Sequence, residues 1–534
     1  MPQPLTYPGV YIQEIPSPVR TITAVPTAVA AFIGRALRGP VNTPVRIHSF
    51  SDFERAFGGL WNRSELGFAV SQYFLNGGAD AFVVRVMSGV AQAAFDASPP
   101  TINLPIGAGA LSIAPKNPGS WFQNVGLTID YDTRKVGSPP APLGDEYNLT
   151  VTMTETDPVT GAANVLTETF RNVTHDPTKA GFITKVLGTK TIGDGSSLVR
   201  TAGAVPAGRP SAGSFPTSPL PPISDGMFLA AADLTPTSGP GGKKGIYALE
   251  DADIFTLMVI PRYSSNENAP GADVPQPVWA AALKYCQDRR AMLVIDPPNS
   301  WTDKTSAAAG LSSFDSLRDK NSVMYFPQVL FADPLLQGAT RTFAPAAAMA
   351  GLMARIDAAR GVWKAPAGEE AKIAGNQGLS YNLTDLENGD LNPLALNCLR
   401  TLPIVGSVAW GARTLAGADS QGSEWKYLPV RRVALLIEES LYRGTKWVVF
   451  EGNDEPLWSQ IRLNVGAFLN SLFRQGAFQG ATPKEAYFVK CDSETTTQDD
   501  INKGIVNILV GFAPLKPVEF VVLKISQIAG KIPT

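Results

Sequence analysis

Histidine and cysteine are scarce in this chain of 534 residues, and their scarcity limits the chemistry that the chain can perform. The two histidines, His48 and His175, are far apart in the sequence, so they predict neither a zinc triad nor a catalytic histidine pair. The three cysteines, Cys286, Cys398 and Cys491, are odd in number and widely spaced. We therefore expect reduced, structural thiols rather than a disulfide framework.

A long apolar run and a strong net charge are missing as well. No stretch approaches the roughly 20 apolar residues that span a bilayer, and the opening MPQPLTYPGV has neither the basic nor the apolar segment of a secretion signal. The formal net charge of -2 argues against a nucleic-acid coat or an electrostatically held membrane protein. With 44% hydrophobic residues, the chain is expected to be globular and to have roughly two to four domains. Because it shows no secretion signal, we expect it to be made in the cytoplasm.

Candidate catalytic groups are isolated in the sequence. Asp296 follows an apolar run, which is where a parallel sheet places its sites, yet Asp296-Pro297-Pro298 is also ordinary turn chemistry that ends a strand. The run from Gly239 to Gly245 contains two lysines but lacks the spacing and the hydroxyl residue of a phosphate loop. The sequence predicts no catalytic, metal or cofactor site, and an α/β enzyme with its site near Asp296 stays the alternative.

Both ends of the chain share an α/β pattern. Val29 to Gly34 and Ala81 to Val86 are apolar runs typical of buried strands. From residue 246 onward, short apolar runs alternate with amphipathic segments, as where the strand Ala291 to Ile295 follows the helix Val278 to Arg289. This pattern predicts an α/β fold (α+β overall) with a mostly parallel sheet assembled from both ends of the chain.

Residues 97 to 245 have a different composition, dense in Pro, Gly, Ser and Thr. Apolar residues alternate from Leu149 to Met153 and return from Leu166 to Phe170, on either side of a turn at Asp157 to Gly161. This alternation predicts an inserted, mainly β domain that contains a hairpin.

The segment from Ile437 to Asp492 has the densest structural signals. Apolar residues at helical spacing end at Gly444, and a longer apolar stripe begins at Leu457. Between the two helices, Trp447 to Phe450 predicts a short buried strand. The chain then ends in two β-rich runs, Ile505 to Phe512 and Val518 to Ile525, the second of which is apolar on both faces.

This C-terminal segment resembles the core of contractile tail sheath proteins of bacteriophages and related injection machines. The resemblance extends upstream through Trp410 to Thr414 and Trp425 to Arg432. At the other end of the chain, the sheath arm is similar to Tyr7 to Glu14, and the first core strand of the sheath is similar to Ala31 to Gly34. It implies the following organisation: N-terminal arm and linker (1–28), first part of the core (29–96), outward-facing variable β domain (97–245), second part of the core (246–384), tube-proximal C-terminal core (385–512), and C-terminal linker with terminal strand (513–534).

The resemblance also implies where subunits join, because arms of different subunits would add strands to a neighbour's sheet. The N-terminal arm residues are Gly9, Val10, Tyr11, Ile12, Gln13 and Glu14, and those of the C-terminal strand are Val518, Phe520, Val521, Val522, Leu523 and Ile525. Candidates for the receiving sheet are Ile505, Val506, Ile508 and Val510, and candidates that face the inner tube are Gln498, Asp499, Asp500, Asn502 and Lys503. The proline-rich segments at about 15–28 and 513–518 are expected to be hinges. The alternative for each arm is an edge strand of its own chain.

The implied function is structural. Many copies of the chain would polymerise around an inner tail tube protein and would also contact baseplate and tail terminator proteins, without a cofactor, direct nucleic-acid contact or membrane insertion. The polymer would be assembled in the bacterial cytoplasm as part of a virion tail or contractile injection particle. It would be metastable when extended and would contract to drive the tube through a target envelope.

Overall fold

The computed structural model describes residues 20–136, 141–142, 144–156, 160–188, 195–220, 223–226, 229–262 and 273–522. The chain divides into two compact units. We call the one made of Met1–Pro26, Gly361–Lys364 and Pro429–Thr534 the terminal unit, and the one made of Thr27–Arg360 and Ala365–Leu428 the sheet unit.

The strands are numbered in chain order. They are β1 (Ala30–Gly34), β2 (Val45–Ile47), β3 (Ala81–Arg85), β4 (Ile102–Ile106), β5 (Gly109–Pro115), β6 (Val125–Asp130), β7 (Lys135–Val136), β8 (Ala141–Pro142), β9 (Glu146–Thr156), β10 (Ala163–Thr174), β11 (Val199–Ala202), β12 (Gly213–Phe215), β13 (Leu257–Val259), β14 (Met292–Ile295), β15 (Ser322–Phe326), β16 (Val329–Asp333), β17 (Ala339–Phe343), β18 (Asn376–Leu379), β19 (Asn397–Leu402), β20 (Gly406–Ala409), β21 (Tyr487–Lys490) and β22 (Leu509–Phe512).

The α-helices are α1 (Phe50–Phe57), α2 (Leu66–Leu75), α3 (Gly89–Ala97), α4 (Ile183–Leu187), α5 (Ala231–Leu234), α6 (Gln276–Asp288), α7 (Lys304–Gly310), α8 (Ala346–Arg360), α9 (Asp385–Leu391), α10 (Leu428–Gly444), α11 (Glu455–Arg474), α12 (Pro483–Ala486) and α13 (Gln498–Asn502). Short 3₁₀ turns supplement them, for example Leu311–Leu317 after α7 and Lys446–Val448 after α10.

The sheet unit is built on an eight-stranded sheet with the order β2-β3-β1-β13-β14-β15-β19-β20. All neighbours from β3 to β19 are parallel, and the two edge strands, β2 and β20, are antiparallel to their neighbours. Every residue of β1, β13, β14 and β15 is buried, as expected for strands covered on both faces. The prediction of a mostly parallel sheet assembled from both ends of the chain is therefore confirmed.

Helices cover this sheet with closely packed faces. On α6, Val278, Trp279, Ala282 and Cys286 are buried in the same apolar cluster as the central strands. Helix α8 contacts α2 at Gly351, where an added Cβ would lie 2.2 Å from the backbone oxygen of Tyr73. Only glycine allows these two helices to approach so closely.

The inserted region forms a three-stranded sheet, β11-β5-β4, and a four-stranded sheet, β10-β9-β6-β12. The predicted hairpin is confirmed, since β9 and β10 pair antiparallel with Leu149 opposite Phe170. This region has its own apolar core, which includes Trp121, Phe122 and Tyr147. Leu229 and Leu234, by contrast, are buried in the core of the central sheet, so the separate β core ends before them.

The terminal unit is organised around α10 and α11, whose apolar faces share one cluster that includes Leu436, Ile437, Ile461 and Phe468. Helix α11 is capped at its start by Asp454, whose carboxylate accepts a hydrogen bond from the Leu457 amide at 3.4 Å.

One secondary-structure prediction in the terminal unit is wrong. Trp447 to Phe450 is not a buried strand, because Lys446–Val448 is a 3₁₀ turn and Phe450 is fully exposed with a φ of +72°. A short apolar run has the same pattern in a buried strand and in an exposed connection, so periodicity does not separate them.

Candidate functional site

The terminal unit contains an incomplete sheet. Strands β21 and β22 pair antiparallel, with Tyr487 opposite Phe512 and Val489 opposite Val510, and within the described ranges they form a two-stranded sheet of their own. Two isolated strands are marginally stable and leave an unpaired row of backbone groups at each edge. Among the described residues, no third strand pairs with either edge.

The two faces of this small sheet differ. Tyr487, Val489, Val510 and Phe512 lie on one face and pack against the apolar cluster of α10 and α11. Phe488 and Leu509 project from the opposite face and are 53% and 52% exposed. An exposed apolar face beside open edges is typical of a surface that another chain covers.

The C-terminal run leaves this sheet after a short anchored segment. The Gln479 amide donates a hydrogen bond to the Ala513 oxygen at 2.9 Å, and Pro514 forms an isolated bridge with Phe478. Residues 518–522 belong to no helix or strand of the single chain, and the large apolar side chains Val518, Phe520, Val521 and Val522 are 73% to 79% exposed.

The segment Arg20 to Val25, which we call the strap, lies along α10 and α11. The Arg20 amide donates to Asn464 Oδ1 at 2.9 Å, and its guanidinium lies 4.7 Å from the centre of the Trp447 ring. Ile22 is buried in the cluster of the terminal unit, and the Val25 amide donates to Ser440 Oγ at 3.1 Å. Residues 20–25 of the expected N-terminal hinge are therefore fixed in place.

Sequence reasoning missed the residues that hold the strap. Ser440 and Asn464 are polar side chains that are buried on the otherwise apolar faces of α10 and α11. A buried polar group needs a hydrogen-bond partner, and the structure shows that each partner here is a backbone amide of the strap. The sequence did not indicate which backbone that would be.

The predicted joint residues are only partly within the described ranges. The N-terminal arm residues, Gly9 to Glu14, lie outside them, as do Leu523 and Ile525 of the C-terminal strand. Of the receiving-sheet candidates, Val510 lies in β22, whereas Ile505, Val506 and Ile508 precede it. Val506, Ile508 and Val510 pack at the margin of the apolar cluster of α10 and α11.

The tube-facing candidates form a short helix, α13, with Lys503 at its C-cap. Thr497 is its N-cap, because Thr497 Oγ1 accepts from the Asp500 amide at 3.3 Å while the Asp500 carboxylate accepts from the Thr497 amide at 3.0 Å. Hydrogen bonds from the Thr497 amide and hydroxyl to the carboxylate hold the pKa of Asp500 below its ordinary value. Asp499 forms an ion pair with Lys503 at 2.5 Å, so part of the charge of α13 is already neutralised.

The rival site at Asp296 is buried at the carboxyl end of β14. Its Oδ1 accepts a hydrogen bond from the Ala346 amide at 2.8 Å, at the start of α8. Burial raises the pKa of Asp296 to about 7, against the opposing effects of this bond and of the nearby Arg262, while Glu65 and Asp273 raise it further. The carboxylate thus has a structural role, since it satisfies the first amide of α8, a group that has no partner within the helix.

The described residues contain no group of three or more His, Cys, Asp or Glu side chains that could hold a metal ion. Across the same parts of the chain, no helix combines the length and apolar character needed to cross a bilayer.

Comparisons with known proteins point to one family. Residues 420–528 match the family described as the phage tail sheath C-terminal domain. A curated relative, named as a prophage major tail sheath protein of Pseudomonas aeruginosa (strain UCBPP-PA14), is 30% identical over 296 residues, which cover 54% of this chain and 70% of the relative.

Solved structures resemble the whole fold. The sheath of an extracellular contractile injection system, PVC, in its contracted state has a TM-score of 0.58 and 21% identity, with 98% of this chain and 99% of that chain covered. The helical sheath of the anti-feeding prophage in its contracted state has a TM-score of 0.57 and 21% identity over the same shares of the two chains. The chain therefore belongs to the family of phage tail sheath proteins, and it is a structural sheath subunit.

Proposed function

We propose that this subunit polymerises through donated strands, which complete the β21–β22 sheet of neighbouring copies. The observation that carries the proposal is the open two-stranded sheet, whose outer face exposes Phe488 and Leu509. The N-terminal arm, Gly9 to Glu14, and the C-terminal run, Val518 to Ile525, are the proposed donors. The C-terminal run is apolar on both faces, as a strand that is covered on both faces needs to be, and the arm carries Val10 and Ile12 at alternate positions suited to one covered face.

The strength of such a joint follows from backbone pairing. A donated strand that forms roughly four hydrogen bonds, each worth about 1 kcal/mol net, contributes on the order of 4 kcal/mol before apolar burial is counted. A single joint of this size is weak, but a polymer repeats it at every subunit. The lattice is therefore durable while each connection stays adjustable.

The proposed polymer surrounds an inner tail tube protein and is metastable in its extended state. Whole subunits then rotate and form larger contacts as the sheath contracts, while the donated strands remain paired. The exposed, charged helix α13 is the proposed tube contact, through Gln498, Asp499, Asp500, Asn502 and Lys503. Baseplate and tail terminator proteins are the proposed partners at the two ends, and assembly is proposed to take place in the bacterial cytoplasm.

The inserted β region is proposed to face outward and to play little part in the joints. Its separate apolar core supports this, because such a core needs no neighbour to be stable. We further propose that the subunit performs no catalysis, since the buried Asp296 is occupied in capping α8.

Deleting residues 1–19 tests the donated arm, and it leaves the strap from Arg20 onward intact. We expect a folded, soluble chain that no longer forms long hollow cylinders in negative-stain micrographs. Circular dichroism and thermal unfolding of the truncated chain should match those of the parent. Cylinders of normal length from the truncated chain would contradict the donated arm.

A further inference from the structure

The strap packs closely against α10 at Gly444, and this close packing is possible only because Gly444 has no side chain. A Cβ added at Gly444 would lie 2.5 Å from Ile22 Cγ2, 2.8 Å from Cγ1 and 3.1 Å from Cβ. Carbon atoms do not approach within 3 Å without displacement, so the Ile22 side chain occupies the space that any other residue at 444 would need.

Two buried polar side chains flank this contact and hold the strap by its backbone. Ser440, one turn before Gly444 on α10, accepts the Val25 amide at 3.1 Å, and Asn464 on α11 accepts the Arg20 amide at 2.9 Å. The strap therefore runs antiparallel to α10, with Arg20 beside Trp447, Ile22 over Gly444 and Val25 over Ser440. We call Ser440, Gly444 and Asn464 together the seat.

We propose that this seat fixes the point at which the N-terminal arm leaves the subunit, and that it thereby determines which neighbouring copy the arm reaches. The inference rests on the proposed strand donation and adds positioning residues to it. None of the three seat residues belongs to a donated strand or to the β21–β22 sheet.

Chain geometry shows what the seat changes. Residues 1–19 span at most roughly 65 Å when fully extended, and release of the strap up to Pro26 would raise the span of the free segment to roughly 90 Å. For a flexible linker, the local concentration of its free end falls with about the −3/2 power of the linker length. Lengthening the free segment by the strap therefore lowers this local concentration less than about twofold. A fixed exit point adds a directional constraint, whose loss is expected to weaken assembly by more than this dilution.

Gly444→Ala in the full chain is the test, and Gly466→Ala in α11 is its matched control. Gly466 also lies within a helix of the terminal unit, but a Cβ added there meets nothing within 4 Å. We expect Gly444→Ala to keep the parent's circular dichroism and to speed hydrogen exchange at the Val25 amide by about tenfold or more. Gly466→Ala should leave that rate unchanged within about twofold.

Assembly is measured as the protein concentration that gives half-maximal cylinder formation in sedimentation and negative-stain microscopy. We expect Gly444→Ala to raise this concentration more than about twofold, and Gly466→Ala to leave it unchanged. Fast exchange at Val25 with a rise below about twofold would contradict the fixed exit point, since linker length alone accounts for that much. Unchanged exchange at Val25 would contradict the steric seat itself.

Ile22→Ala supplies a second background in which the clash is relieved, so Gly444→Ala should fold there even if it misfolds in the parent. Ile22→Ala removes both γ carbons, so that the nearest atom to a Cβ at position 444 is at 3.1 Å instead of 2.5 Å. Adding Gly444→Ala to Ile22→Ala should then have several-fold less effect on Val25 exchange than it has in the parent. Equal effects in both backgrounds would show that the two residues are not coupled and would overturn the seat.

These outcomes are separable from failure of the proposed strand donation. Exchange at Val25 is read on unassembled subunits, so it reports the seat even if the arm joins nothing. If the chain without residues 1–19 assembles normally, strand donation fails, whereas coupling between Ile22 and Gly444 remains measurable.

Discussion

The central sheet of the sheet unit and the β21–β22 pair of the terminal unit differ in how far one chain completes them. The central sheet has eight strands, and its four middle strands, β1, β13, β14 and β15, are buried along their whole length. The β21–β22 pair has two strands and an outer face with half-exposed apolar side chains. The first satisfies its backbone and its apolar faces within one subunit. In the β21–β22 pair, one subunit buries only one of the two faces. Its backbone hydrogen bonds are limited to the single row between the two strands.

This difference separates folding from assembly. Damage to the central sheet should appear in the isolated subunit, because its contacts are all internal. Damage to the strands that are proposed to complete β21–β22 should appear only when subunits meet. The predictions below use that separation, beginning with the largest expected effect.

The largest effect is expected from replacing both Val521 and Leu523 with aspartate. Val521 is 78% exposed in the single chain, whereas Leu523 lies outside the described residues. In a donated strand the aspartates would be buried without a partner, which costs several kcal/mol. We expect complete loss of cylinders, seen by negative-stain microscopy, from a subunit whose thermal unfolding stays close to that of the parent.

The same double variant should also poison assembly when it is mixed with the parent protein, because it still offers an intact β21–β22 sheet. A clearly lowered melting temperature of the isolated variant would instead show that the terminal strand pairs within its own chain.

The next effect concerns Arg85, at the end of β3 in the central sheet. This buried guanidinium donates to the backbone oxygens of Ala36, Gly39, Leu37 and Pro118 at 2.9, 2.7, 3.4 and 2.9 Å. Arg85→Met would leave buried oxygens without donors, and we expect a loss of about 3 kcal/mol or more in the free energy of unfolding. Denaturant unfolding of the isolated subunit measures it.

Arg46→Met on the neighbouring strand β2 is the matched control. Arg46 binds Asp80 at 2.6 Å, but its side chain is 52% exposed, so the pair should contribute no more than about 1 kcal/mol. Similar losses for the two variants would mean that the buried arginine does not hold the loop after β1 as the contacts indicate.

The third effect depends on pH and on Asp296. Because its pKa is raised from 3.8 to about 7 on folding, the folded state binds the proton more tightly than the unfolded state does. Stability should therefore fall as the pH rises from about 4 to 7 and level off above that. Asp296→Asn removes this slope, so at pH 8 the variant should be more stable than the parent by about 1–3 kcal/mol.

Unfolding curves at several pH values between about 4.5 and 8.5 test this sign. Assembly should be unaffected, since Asp296 belongs to the core of the sheet unit. A variant that loses stability at pH 8 would contradict the raised pKa, and one that loses assembly with normal stability would reopen a functional role for the carboxylate.

The smallest effect is expected to be alike in the two units. Ile404 in the sheet unit and Phe450 in the terminal unit are fully exposed and have φ values of +71° and +72°. Glycine adopts this backbone conformation without strain, so Ile404→Gly and Phe450→Gly should each stabilise the subunit by up to about 1 kcal/mol. Thermal unfolding of both variants measures the change, and a loss of stability in either would contradict the strain.

The sequence was most informative where structure is local or strongly patterned. The buried strands β1 and β14 and the helix α6 were predictable because fully apolar runs and helical spacing have few other solutions. The cap of α13 was predictable because Thr497 and Asp500 satisfy each other's backbone within one turn. The run from Trp447 to Phe450 shows the limit, since its apolar composition did not distinguish a buried strand from an exposed turn.

By itself, the sequence determined the α/β class, the hairpin of β9 and β10 and the resemblance that led to the family. Only the tertiary structure decided that the Arg20 and Val25 amides bind Asn464 and Ser440 and that the Ile22 side chain fills the space beside Gly444. It also decided that Arg85 donates hydrogen bonds to four backbone oxygens. These contacts join residues far apart in the chain, and no local period or propensity encodes them. They depend on which buried polar atoms and empty volumes come together once the apolar cores have formed.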